Sequence, residues 1–220
     1  MKNNLFTSVF TPGTFVLAVC VAALGASGAS AQLPGDCGNP FESGYGPFDY
    51  RTATYDQKHL VEIVGGHFTT SVETLVSGNT GTVGKELDYT LRAFPNHPRA
   101  LLAMIRLGQR DRTTRPKGAE YTVECWVERA VSFRPDDIGV RQVRGIYYSM
   151  LKKYKEAIAD FKTVIEQQPD SANAHYNLGL SYFEVGSYDD ALAEAKLARS
   201  LGFPLDGLKN KLKAKGKWHE

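Results

Sequence analysis

The chain has 220 residues, with 26 Lys and Arg against 24 Asp and Glu, and 42% of its residues are hydrophobic. That length allows one domain or a short row of repeats, and ordinary hydrophobic content at a formal charge of +2 argues against global disorder. The small net charge also argues against nucleic acid or an anionic membrane as main partner, and three Cys are too few for a disulfide-dense scaffold.

Residues 1–31 read as a secretory signal: Lys2, an apolar run from Thr14 to Ala26, then small residues at Ala29 and Ala31. The run is shorter than the roughly 20 residues a membrane span needs. Cleavage after Ala31 predicts export across the inner membrane into the periplasm, with membrane association only if the signal stays uncut. Cys20 would leave with it. The two remaining, Cys37 and Cys125, predict one disulfide in an oxidising compartment. Residues 32–56 hold Gly35, Gly38, Gly44, Gly46, Pro34, Pro40 and Pro47, which break regular structure. Phe41, Tyr45, Phe48, Tyr50 and Tyr55 are too many aromatics for a solvated linker. The segment therefore reads as an irregular arm that packs onto the domain, with docking on a partner as the other reading.

From residue 57 apolar residues recur at helical spacing, as in Leu60, Ile63 and Val64, then Leu87 and Leu91, then Leu101, Leu102 and Ile105. Residues 57–77, interrupted at Gly65–Gly66, and 83–94 predict a helical pair, and residues 98–110 and 119–132 a second, longer one. When residues 138–171 are set above 172–205, Gly145 falls on Gly179, Tyr148 on Tyr182, Tyr154 on Tyr188 and Ala157 on Ala191. This in-phase pattern, with Pro169 closing one copy, resembles the tetratricopeptide repeat, a helix–turn–helix unit. The resemblance implies an all-α solenoid: degenerate repeats over 57–137, two clear repeats at 138–171 and 172–205, and a basic capping helix and tail at 206–220. Within the last segment, residues 205–215 place Leu205, Leu208 and Leu212 on one face.

Chemistry is scarce. His59, Glu62 and His67 match no zinc-helix spacing, and neither a Gly-x-Ser-x-Gly elbow nor a phosphate loop is present. The expectation is a non-enzymatic chain with no catalytic residue, metal or cofactor. The resemblance instead implies a concave wall built from the first helix of each repeat, recognising a protein or peptide segment. Its frame puts Arg99, Leu102, Arg106, Gln109 and Arg110 on that wall, followed by Gln142, Ile146 and Ser149, then Asn173, Tyr176, Asn177, Leu180 and Glu184. Of the Lys/Asn/Arg set by which the family's best-known clamp holds peptides, only Asn177 stands in a matching place. Oligomeric state is left open by the sequence. The near-zero charge hides two basic stretches, 106–117 and 209–217.

Overall fold

A computed structural model describes residues 37–219, within Ala31–Glu220, which is a compact unit by its own contacts. The predicted signal lies outside the described residues. Among those, every regular element is helical. In chain order they are α1 (Tyr55–Lys58), which runs into a π-helical stretch His59–Val64, then α2 (Thr70–Glu73), α3 (Val83–Ala93), α4 (Pro98–Asp111) and α5 (Val123–Phe133). There follow α6 (Ile138–Met150), α7 (Tyr154–Gln167), α8 (Ala172–Glu184), α9 (Tyr188–Ser200) and α10 (Gly207–Ala214).

The backbone shows four hairpins, α2/α3, α4/α5, α6/α7 and α8/α9. After the first helix of each, one residue turns left-handed: Leu75, Arg112, Lys152 and Gly186, at φ 62°, 52°, 60° and 84°. Three of the four carry side chains that disfavour this region, so the surrounding contacts impose it. After the second helix, Phe94, Arg134 and Gln168 are extended at φ −131°, −140° and −132°. The prolines that follow them require that conformation. His97, Asp137 and Ser171 then cap α4, α6 and α8, each side chain accepting from a backbone N–H.

A polar pair also recurs at a spacing of nineteen residues: Arg141–Asp160 and His175–Glu194 join the two helices of a hairpin, and His67–Glu86 joins the turn before α2 to α3. The aligned positions of α4/α5 hold Leu101 and Trp126, both buried.

Two sequence expectations are corrected, and one is met: the helix over 57–77 is interrupted at Gly65–Gly66. The π-helical stretch ends at Gly65–Gly66, where Gly66 has φ +64°, and a single turn, α2, is what remains of the first helix in that hairpin. The helix expected over 119–132 starts at Val123, because residues 113–120 fold back onto α3. There Thr82 Oγ1 donates to the Lys117 carbonyl, and the Glu120 N–H donates to Asp88. In the last segment α10 begins at Gly207, after Pro204, so Leu205 is 62% exposed while Leu208 and Leu212 are buried.

The arm docks in cis. Cys37 and Cys125 form a disulfide with Cα atoms 5.0 Å apart. Buried Arg129 donates to the Cys37 carbonyl at 2.7 Å and lies 4.5 Å from the Tyr121 ring centroid. Phe48 and Tyr50 pack on fully buried Phe94, and the Phe48 N–H donates to the Ala93 carbonyl. Asp49 accepts from Arg51, Arg134 and Asn96; the Arg51 guanidinium, aided by the other two, holds its carboxyl well below the usual range. Asn96 also donates to Asp137, the cap of α6, so the arm is wired to the start of the third hairpin.

His97 is fully buried, stacked on Tyr50 at 3.8 Å. The Ala100 N–H donates to its Nδ1, which leaves Nε2 as the donor to Glu62, 2.9 Å away. Burial pushes the His97 imidazole below its ordinary value. The unfolded chain therefore binds a proton at this position before the folded chain does, and stability should fall as pH drops below about 6.5. Urea midpoints taken between pH 7.5 and 5 check this. His97→Asn, which keeps a capping side chain, should flatten the dependence in that window; an unchanged slope would count against the assignment.

Candidate functional site

The first helices stack side by side: α4 packs on α6, α6 on α8, and α8 on α10. Along this wall lies an open cleft of about 390 Å³ lined by Ser149, Tyr154, Tyr176, Asn177, Leu180, Ser181, Glu184, Gly207 and Lys211. It therefore sits between the end of α6, the start of α7, the length of α8 and one side of α10. Small residues make the hairpins close enough to shape it. A Cβ on Gly145 would meet the Phe161 ring at 2.7 Å, so α6 and α7 approach at a distance only glycine permits.

The cleft mixes apolar and polar groups. Leu180 and two tyrosine rings supply apolar surface, and Tyr176 is held by stacking on Phe203 at 4.0 Å. Both serine hydroxyls are engaged with their own helices, Ser149 donating to the Gly145 carbonyl and Ser181 to that of Asn177. Lys211 pairs with Glu184 at 2.7 Å across the rim. The Asn177 carboxamide makes no hydrogen bond among the described residues. It offers a donor and an acceptor to an extended peptide backbone.

The structure thus brings together Ser149, Tyr176, Asn177, Leu180 and Glu184 from the expected wall. The other residues lie elsewhere. Arg99 is exposed at the start of α4, bound through its guanidinium to Glu73 and 5.8 Å from the Phe68 ring. Arg110 donates to Asp111 and to the Leu75 carbonyl, which ties it to the preceding hairpin. Arg106 is exposed on α4. Gln142 is half-buried on α6, Ile146 packs against the buried Ala157, Phe161 and Leu178, and Asn173 is exposed in the first turn of α8. Tyr154 and the α10 residues Gly207 and Lys211 were missed by sequence reading. Only the lysine spacing of the tail hints at them, and it does not say which side of α10 faces the wall.

The trio His59, Glu62 and His67 is dispersed. His59 stacks on Tyr55, Glu62 holds His97, and His67 Nδ1 meets Glu86 at 2.5 Å. Among the described residues no group of three His, Cys, Asp or Glu side chains is placed to hold a metal ion.

Residues 146–186 match the family model described as TPR repeat. The chain carries tetratricopeptide repeats. The match spans the end of α6, all of α7 and α8, and the turn at Gly186, and so includes most of the cleft's lining. Solved structures similar to the chain include two of a MamA mutant, at 18% and 21% identity. These cover 74% and 60% of this chain and 91% and 73% of theirs, with TM-scores of 0.48 and 0.43. A third, titled MamA MSR-1 C2, is 22% identical, covers 77% of this chain and 89% of its own, and has a TM-score of 0.45. No curated protein matches the chain. A tetratricopeptide-repeat segment points to a protein-interaction role in the broad sense.

Proposed function

We propose that the protein is an exported, non-enzymatic adaptor or assembly factor of the bacterial cell envelope that binds a peptide or protein segment along the concave face of its tetratricopeptide repeats. The single observation that carries this reading is the cleft itself: an apolar trough of Leu180, Tyr154 and Tyr176 with a free carboxamide, Asn177, at its centre. Export is supported by the signal-like first 31 residues and by the pairing of Cys37 with Cys125.

The test is capture of partners from an envelope extract, followed by titration of the purified partner. Asn177→Ala with Leu180→Gln removes the amide and the apolar wall while leaving the Tyr176–Phe203 stack intact. Affinity should fall by more than tenfold, as expected for residues at the centre of an interface. Unchanged affinity in a folded double variant would sink the cleft as the binding site.

A second reading, a structural subunit of a larger complex or homo-oligomer, is favoured by one observation. Leu60, Ile63 and Val64 of the π-helical stretch are each at least half exposed at the end of the row opposite α10. Gel filtration of residues 31–220 giving a defined oligomer would support it.

A further inference from the structure

We infer that α10 and the tail after it form a docking face for an anionic lipid surface. The net charge of the chain hides this. From Lys196 to Lys217 there are seven basic residues against one acidic residue, Asp206. The fold fixes how they are displayed. Leu208 and Leu212, at 1% and 0% exposure, pin one side of α10 to the body, so the lysines at every second position fan over the sides left open. Lys211 is taken by Glu184 at the cleft rim. Lys209, Lys213, Lys215 and Lys217 form no ion pair among the described residues.

The kind of charge and its company select the partner. The helix and tail carry lysine alone, a hydrated point charge, rather than the planar guanidinium fork that reads a phosphate or carboxylate bidentately. Their spread round the helix suits a continuous negative plane better than a single row of acidic side chains. Beside them Leu205, 62% exposed on the segment entering α10, favours a headgroup layer, while Trp218, half-buried against Leu208 and Leu212, has Lys209 at 5.2 Å from its ring. Each lysine near an anionic bilayer strengthens binding about fivefold, so four together act over a range of several hundredfold. The face is separate from the cleft reading, because the four unpaired lysines do not line the cleft.

Flotation with lipid vesicles tests this on residues 31–220, the compact unit. Vesicles of phosphatidylcholine carrying about one-third phosphatidylglycerol should carry the protein up the gradient, and pure phosphatidylcholine should not. The quadruple variant Lys209→Gln, Lys213→Gln, Lys215→Gln and Lys217→Gln keeps Lys211 and the cleft. It should bind at least a hundredfold more weakly while showing the circular dichroism of the parent. Salt at about 0.5 M should release the parent, because the Debye length then shrinks to a few ångströms. Binding to neutral vesicles as well, or equal binding by the variant, overturns the proposal. So does tight capture of a polyglutamate peptide by a chain that ignores the anionic vesicles, which would mark the face as protein-binding. Partner capture through the cleft is read separately and does not depend on the outcome.

Discussion

Replacing Cys37 and Cys125 together with Ser is expected to lower the unfolding free energy by about 4–5 kcal/mol, the chain-entropy value for a crosslink that closes so long a loop. The two residues are 88 apart in sequence. The effect reaches beyond the crosslink, because the arm it anchors packs on the ends of α3 and α5 and reaches the cap of α6. Without it, ordering residues 37–54 depends on Arg129, the rings on Phe94 and the Asp49 network alone. Urea titrations of parent and variant, with and without reductant, measure the change. Reduced parent should behave like the oxidised variant. A loss below about 1 kcal/mol would show that the arm is held by its packing and that the crosslink contributes little.

The second large effect is expected at Asp160. This carboxylate is 2% exposed and accepts two bonds of 2.7 Å from Arg144 and one of 3.3 Å from Arg141. Asp160→Ala leaves two largely buried guanidiniums without their anion, and removing one partner of such a group costs about 3–5 kcal/mol. Asp160→Asn, which retains one acceptor oxygen, should lose less. The damage should concentrate in α6 and α7, since each repeat leans mainly on its neighbours. Hydrogen exchange should therefore show those helices opening before α3 and α4. Uniform loss of protection across the chain would contradict that local picture.

The last two hairpins were legible because their repeat positions carry residues with single-valued roles. Gly145 and Gly179 permit close approach, Ala157 and Ala191 are buried, and Pro169 stops a helix. The first two hairpins share the backbone but not those residues. Arg112 and Leu75, like Lys152, occupy the left-handed turn that Gly186 fills comfortably, so no glycine marks that position. The break expected at Gly65–Gly66 is present, but beyond it the first helix of the first hairpin shrinks to Thr70–Glu73. In the candidate site, frame alone found Tyr176, Asn177 and Leu180, because α8 is regular. It could not find the fate of Arg99 and Arg110, whose partners Glu73 and the Leu75 carbonyl sit in the degenerate hairpin. For α10 the expected apolar face holds at Leu208 and Leu212, which are buried, and fails at Leu205, which precedes the helix.

The nineteen-residue spacing of the polar pairs bears on how such a chain can grow. The Arg141–Asp160 and His175–Glu194 pairs lie wholly inside one hairpin, so a duplicated or transplanted hairpin carries both partners with it. The Asn96–Asp137 and Asp49–Arg134 bonds do the opposite, because they cross hairpin boundaries and bind the arm to fixed neighbours. Insertion of a further hairpin after Gln168 therefore leaves the Arg141–Asp160 and His175–Glu194 pairs whole, whereas insertion between Arg134 and Asp137 parts Asn96 from Asp137.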